Sequence, residues 1–488
     1  MSPRAFETVP VAPLSLERFA GVLEEGELAD LLAVAGEARA LMEGRAVWCV
    51  NSTANGGGVA EMLRSLLAYT RGVGVDTRWL VLRGDDAFFR VTKRLHNRLH
   101  GAEGDGAPLD EAARAAYEAI TDAAGRDLRA LVRPGDVVLL HDPQTAGLAP
   151  ALRDAQVGVV WRCHIGIDDP DDGVREAWDF LRPYVDATDI RVFSRQRFAW
   201  DGLDPATVRV IPPSIDTFSA KNQELATEAV AGILRVAGVT TTGDAAAARF
   251  VREDGTTARV DRPGTILQEA PLAEHDRYVA QVSRWDRLKD PVGVLDGFAQ
   301  HVAPHTDAHL LLVGPAVAAV SDDPEGRAVL EQVSARWSAL PADLRRRVHL
   351  VTLPMDDAEE NGAMVNAVQR RADVVVQKSL AEGFGLTVAE AMWKSRPVVV
   401  SGVGGIQDQV LDEVTGLVVP ASDLKAFGYA VSRLLNDAPL AERLGTAARE
   451  RVRREFLEPR HLRQWVDLVD ALPLEPVAYD STRPLSSA

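Results

Sequence analysis

The stretch "AVWCVNSTANGGGVAEMLRSLLAYT", Ala46 to Thr70, decides the class of fold. An apolar, partly β-branched run enters, three glycines turn the chain, and an amphipathic helical pattern leaves. Strand, glycine-rich turn and helix in that order form the unit of a parallel α/β sheet. Glycines at such a junction let a ligand approach the backbone and the N–H groups of the helix start. The triplet Gly56, Gly57, Gly58 fits neither GxGxxG nor GxxxxGK followed by Ser or Thr, so the dinucleotide and P-loop readings fail on spacing. A plain tight turn and a ligand loop both remain as readings.

Working outward, the same alternation fills most of the 488 residues. Strands are expected at "AVWCVN", "DTRWLVL", "DVVLLHD", "VGVVWRCH", "IRVFS" and "VRVIPPS", with helices between, including "DEAARAAYEAITDAAGRDLRALV". The leading "LERFAGVLEEGELADLLAVAGEARALMEG" reads as helix. A second series runs through "YVAQVSRWD", "HLLLVGP", "RVHLVTLP", "ADVVVQKS", "RPVVVSG" and "TGLVVP". The expectation is an α/β protein of two doubly wound, Rossmann-like domains with a cleft between them. They would cover 1–219 with the leading helix and 278–455, separated by a linker and insertion at 220–277. In that insertion "RFVREDGTTARVDR" suggests a small hairpin. Residues 456–488 would be a closing helix crossing back to the first domain, plus a frayed tail.

Composition narrows the class. The chain is 46% hydrophobic and 26% charged, and no apolar run approaches the roughly 18 residues of a membrane span. The N-terminus lacks a basic flank followed by an apolar core, so no secretory signal is expected. Cys49 and Cys163 sit in apolar strand-like runs and read as reduced core thiols of a cytoplasmic enzyme. The formal net charge of −17 argues against nucleic acid, which needs a basic face. An anionic ligand would need cations gathered locally in a cleft. Apolar helix faces could serve a core or a homodimer.

In parallel sheets ligands bind beyond the carboxyl ends of the strands. After "VAQVS" come Arg284, Arg287 and Lys289 with a helix start near Pro291, a plausible diphosphate clamp or a solvated charged turn. After "VVVQ" come Glu382, Gly383, Phe384, Gly385, Leu386 and, in the following helix, Glu390. One carboxylate in the loop and one on the helix suit a polyhydroxylated ligand, although an exposed helix Glu is the plainer reading of Glu390. Gly404 and Gly405 follow the next strand. In the first half the strand ends carry Asn51, His141, Asp142, Gln144, Arg162 and His164. The acidic runs "IDDPDDG" and "SDDPEG" lack Ca²⁺-loop spacing and read as turns and caps.

Together these stretches resemble the retaining GT-B glycosyltransferases, and more narrowly the trehalose-forming glucosyltransferases. The likeness rests on "VNSTANGGGVAEML", "RWLVLRGDDAFFRVTKRLHNRLHG", "LLHDPQTAGL", "WRCHIGID", "IPPSID" with "SAKN", "VSRWDRLKDP", and "EGFGLTVAEAMWK" with "GVGGIQDQV". "HIGID" is one residue longer than the family's pattern, which moves Asp168 relative to His164. His100 stands where the family has Gln, and the insertion around 240–275 is placed to cover or gate a cleft. The resemblance implies an ADP- or UDP-glucose donor, glucose as acceptor, and no required cofactor or metal. It further implies that Arg284 and Lys289 hold the diphosphate, Glu390 the ribose and Glu382 the donor sugar. Gly404, Gly405 and the Gly56–Gly58 floor would lie near phosphate and sugar, with His164 on the transferred glucose. Asn51, Lys93, Asn97, Asp142, Gln144 and Arg162 are the acceptor candidates. Lys93, Arg94 and Arg98 could seat a phosphorylated acceptor, although a solvated basic helix face is the plainer reading. A trehalose phosphorylase, a nucleotide-sugar epimerase and a non-catalytic sugar sensor are the rival readings.

Overall fold

The computed structural model describes residues 5–54, 57–317 and 324–474. Gly56, residues 321–323 of the second acidic run, and the expected frayed tail lie outside the described residues. The chain divides into two compact units, Met1–Ser214 with Glu458–Ala488, and Ile215–Leu457.

The first unit is built on a seven-stranded sheet of order β1-β3-β2-β4-β5-β6-β7. Its strands are β1 (Phe6–Val9), β2 (Ala46–Asn51), β3 (Asp76–Leu82), β4 (Val137–His141), β5 (Gly158–Cys163), β6 (Ile190–Phe193) and β7 (Val208–Val210). All pairs are parallel except β1 with β3. The short β1 was not expected from sequence, because four residues before a proline carry little pattern. β7 ends at Val210 rather than running on to Ser214, since Pro212 and Pro213 have no N–H to donate to a ladder. The leading segment is not one helix. A 3₁₀ turn covers Leu16–Gly21, and a helix over Glu25–Leu41 starts at a capping box in which Glu24 N donates to Glu27 Oε2 at 2.9 Å.

β2, β4 and β5 are buried along their whole length, as parallel strands covered on both faces must be. Side chains alternate between those faces. Trp48, Val50, Leu140, Trp161 and Cys163 enter one large apolar cluster. Cys49, His141 and Arg162 therefore point to the other face, His141 standing directly opposite Arg162 in the β4–β5 register. The helix Glu458–Asp470 packs within this unit, burying His461, Leu462, Trp465, Leu468 and Val469.

The second unit has strands β8 (Arg249–Val251), β9 (Thr257–Arg259), β10 (Thr265–Leu267), β11 (Tyr278–Val282), β12 (His309–Pro315), β13 (Val348–Leu353), β14 (Val374–Gln377), β15 (Val398–Ser401) and β16 (Leu417–Val419). Its main sheet has the order β10-β13-β12-β11-β14-β15-β16, parallel but for β10. β8 and β9 form the expected hairpin. The insertion is tied to its own unit: Arg252 pairs with Asp357 and Glu359, and Arg262 with Glu360, all at the start of the helix Ala358–Arg371. Its unforeseen strand β10 covers the edge of β13, a common protection for an open sheet edge. Among the described residues, no helix is long and apolar enough to cross a membrane.

Candidate active site

Each unit gathers its own group of polar side chains at the carboxyl ends of its strands. In the second unit the central neighbours are β11 and β14. The loop after β11 carries Arg284, Asp286 and Lys289; the loop after β14 carries Lys378, Ser379 and Glu382. Lys289 Nζ lies 2.5 Å from Glu382 Oε2, with both side chains largely buried. Ser379 Oγ donates to the same carboxylate oxygen at 3.3 Å. Behind this pair, Lys378 is buried and forms an ion pair with Asp290. Asp290 adopts left-handed backbone (φ 48°) and caps the helix Pro291–Gly297 by accepting from Gly293 N at 3.0 Å. The helix start expected to meet a diphosphate is thus capped by its own chain. Gln281 joins the two loops, donating to Lys289 O at 2.8 Å and accepting from Lys378 N at 3.1 Å. Arg284 is more open, with 53% of its side chain exposed and Asp286 Oδ2 3.2 Å away.

The glycines explain how closely these loops approach. Gly404 has φ 49°, and a Cβ there would lie 1.7 Å from Glu382 O. Gly405 N donates to Gly383 O at 3.1 Å, and its added Cβ would meet that oxygen at 2.6 Å. Gly385, with φ 84°, caps the helix that begins at Leu386. Phe384 is buried and packs on Phe456, ring centroids 5.7 Å apart. The glycines therefore fix the shape of the loop that bears Glu382.

Glu390 is buried, not an exposed helix carboxylate. Its Oε1 lies 3.7 Å from Lys221 Nζ. Lys394, one turn on, donates to Glu390 O at 3.1 Å and to Asn222 Oδ1 at 2.9 Å. Burial pulls the Lys394 ammonium down to about 7, with the Glu390 charge opposing. Lys221 and Asn222 come from "SAKN", a stretch quoted for its resemblance without a role; its signal was a lysine and an amide with no place in a strand or helix.

In the first unit the polar face of the sheet carries a connected line. Cys49 Sγ is 3.1 Å from His141 Nε2, and His141 Nδ1 is 3.1 Å from His164 Nε2. The two rings lie 13° from parallel. Desolvation lowers both imidazoles, His141 to about 3 and His164 well below its usual range, with the Arg162 charge adding to each. Asp142 has φ 62°, strained for a residue with a side chain. Its Oδ1 accepts His164 N at 2.8 Å, and its carbonyl accepts Trp161 Nε1 at 3.0 Å. Burial pushes the Asp142 carboxyl up to about 7, opposed by the His164 N–H and by Arg162.

Other candidates fall differently. Arg162 is 0% exposed; it contacts His461 Nε2 at 2.9 Å and donates to Ile211 O at 3.1 Å. Asn51 is buried, accepting from Trp79 Nε1 at 2.9 Å and donating to Thr53 O at 2.6 Å. Both are engaged inside the unit rather than brought to an open surface. Gln144 is half-buried, and its Oε1 has no protein partner among the described residues. Gly57 has φ 100° and open space where a Cβ would be, and Gly58 begins the helix Gly58–Gly72, so Gly57 leaves bare backbone ahead of the helix. Lys93 is exposed on the helix Asp86–Leu99, and Asn97 is half-buried on the same helix. Arg94 and Arg98 are spent on Asp105 and Glu176, while His100 caps that helix. Asp168 pairs with Arg195 at 2.6 Å, and Asp171 caps the helix Asp172–Val185. Among the described residues, no cluster of three or more His, Cys, Asp or Glu could hold a metal ion.

Comparison with known proteins supplies the family. Residues 49–200 match the family model described as trehalose synthase, N-terminal domain, and residues 265–451 match glycosyl transferases group 1. A trehalose synthase from Thermococcus litoralis is 35% identical over 422 residues, covering 86% of this chain and 89% of its own. One from Pyrococcus horikoshii is 33% identical over 459 residues, covering 94% and 96%. Among solved structures, an α,α-trehalose-phosphate synthase (UDP-forming) from Burkholderia vietnamiensis superposes with a TM-score of 0.63 at 18% identity, over 88% of this chain and 99% of that one. At that identity the last shows fold alone, the GT-B fold of two Rossmann-like sheets. The chain belongs to the trehalose synthase family, glycosyltransferases of GT-B fold.

Proposed function

We propose that this chain is a retaining glucosyltransferase that moves glucose from ADP- or UDP-glucose to free glucose, forming α,α-trehalose without a metal. The observation that carries this reading is the Lys289–Glu382 pair, held against Gly404 and beside the open Arg284. It supports the reading because two cations and a carboxylate stand at adjoining strand ends, as a diphosphate and sugar hydroxyls would require. Arg284 and Lys289 stabilise charge gathering on the β-phosphate as the glycosidic bond breaks. Preorganised donors of this kind act where charge develops in the transition state. Glu382 accepts from donor-sugar hydroxyls, His164 contacts the transferred glucose, and Glu390 takes the ribose hydroxyls. The acceptor hydroxyl attacks from the side of the departing diphosphate, which takes its proton, and no covalent enzyme intermediate forms.

Free glucose is favoured over a phosphorylated acceptor by the state of the basic helix face. Arg94 donates to both Asp105 oxygens, at 2.7 and 2.9 Å, and Arg98 pairs with Glu176. A phosphate would have to displace carboxylates already in place. Lys93, Asn97, Asp142 and Gln144 remain as acceptor contacts.

The test mixes the protein with glucose and each of ADP-, UDP- and GDP-glucose without added metal, beside a tube of glucose with α-glucose 1-phosphate. An α,α-linked disaccharide formed only from a nucleotide sugar is the expected result, and it names the base. Product formed only from glucose 1-phosphate would make this chain a phosphorylase instead.

A further inference from the structure

The line Cys49–His141–His164 runs from β2 across β4 to the residue that follows β5, on the polar face of the first unit's sheet. Three groups share two contacts, Sγ to Nε2 and Nδ1 to Nε2, each 3.1 Å long. Burial keeps the thiol protonated and both imidazoles neutral, so each group carries one hydrogen. Two arrangements satisfy that count. In one, Cys49 S–H donates to His141 Nε2, His141 Nδ1–H donates to His164 Nε2, and His164 carries its proton on Nδ1. The other reverses both bonds, which makes sulfur the acceptor and leaves the buried S–H without one. Imidazole nitrogen is the better acceptor, and thiol sulfur a weak one. Cys49 is 0% exposed, and among the described residues its side-chain hydrogen-bond partner is His141, with the Arg162 charge nearby.

His164 is half-buried, and its Nδ1 has no protein partner among the described residues. Its backbone N–H is fixed by Asp142 Oδ1, which holds the residue in place from its other side. We infer that Cys49 and His141 are positioning residues that lock His164 in the Nδ1–H tautomer, so that it presents a hydrogen-bond donor, and no acceptor, to a sugar hydroxyl. The locking depends only on this geometry; the sugar as its recipient rests on the function proposed above. Sequence alone read Cys49 as a core thiol, because a lone cysteine in an apolar strand shows nothing of its neighbour.

The test is imidazole nitrogen NMR on full-length protein labelled with ¹⁵N-histidine, the signals assigned with His141→Asn and His164→Asn. The expected spectrum has both histidines protonated at Nδ1. Cys49→Ala removes the donor and should convert His141 and His164 to mixed tautomers. Cys49→Ser, which keeps a donor there, should restore the single tautomer. Turnover should fall about tenfold in Cys49→Ala, the scale of one lost hydrogen bond, with most of it recovered in Cys49→Ser and donor KM little changed. A His164 protonated at Nε2, or spectra identical in the wild type and Cys49→Ala, would overturn the inference. The spectra need no substrate, so a failure to find transferase activity leaves this readout intact. An intact tautomer shift with unaltered turnover would remove the sugar as recipient.

Discussion

Lys289 Nζ and Glu382 Oε2 stand 2.5 Å apart, joining the loops that follow the adjacent strands β11 and β14. A diphosphate arriving at Lys289 would share that cation with a carboxylate already in contact. Glu382→Gln should therefore separate two effects. Removing the negative charge relieves repulsion, so nucleoside diphosphate should bind as tightly as to the wild type or more so. On the function proposed above, Gln keeps one acceptor oxygen for sugar hydroxyls but loses the charge and the second oxygen, which should lower turnover by about 10²-fold. Titration calorimetry with the diphosphate and initial rates with the nucleotide sugar check the two arms. Parallel loss of diphosphate affinity would remove Glu382 from the sugar side.

Gly404 offers a test of the scaffold rather than the chemistry. Its φ of 49° and the 1.7 Å approach of a Cβ to Glu382 O mean that Gly404→Ala must move backbone, not a flexible side chain. Strain of this kind costs on the order of 1–3 kcal/mol. Thermal melting should show a lower midpoint, and turnover should fall with it because Glu382 shifts. A variant that melts with the wild type would mean that the loop is softer than its packing suggests.

The parallel strands were legible because β2, β4, β5 and their counterparts in the second unit are apolar runs bounded by turn residues. β1 and β10 were not, since each is a short antiparallel edge whose pairing is set by a distant strand. Among the site candidates, Glu382 and Lys289 are neighbours across two loops, which strand-end reasoning anticipates. Arg162 shows where that reasoning stops. The alternation within a strand says that its side chain shares a face with His141, but the helix Glu458–Asp470 that covers it begins almost 300 residues later. The Lys221–Glu390 contact is legible only in three dimensions for the same reason.

Arg162 is a buried cation that contacts His461, the Ile211 carbonyl, Met62 Sδ at 4.0 Å and the Trp465 ring, 5.5 Å from its guanidinium carbon. Burial lowers it to about 9. A hydrogen bond to a charged group contributes about 1.5–3 kcal/mol. His461→Ala should therefore destabilise the chain by about that amount, measured by urea unfolding. His461→Gln, which offers an amide oxygen in place of the ring nitrogen, should recover part of the loss. Equal stability of both variants with the wild type would mean that water replaces the imidazole at no cost.

Asp142 supplies the pH dependence. Its carboxyl is raised from 3.8 to about 7, chiefly by burial. Between about pH 4 and 7 the folded chain holds a proton there that the unfolded chain has released. This group's contribution to stability is therefore present in full below about pH 4 and is lost as pH rises through 7. Asp142→Asn cannot titrate, so its urea midpoint should change less between pH 5 and 7 than that of the wild type. Lys394 acts in the opposite sense above about 7, because its folded value lies below its unfolded one, which is why the comparison stays below that pH. The site should answer in parallel. If Asp142 holds the acceptor, as proposed above, its ionised carboxylate accepts from the hydroxyls, so the acceptor KM should fall as pH rises through about 7, while donor KM follows no such step. His141, lowered to about 3, and His164, lowered well below its usual range, stay neutral over that interval and cannot mimic it. A step in acceptor KM that survives Asp142→Asn would assign the titration to another group.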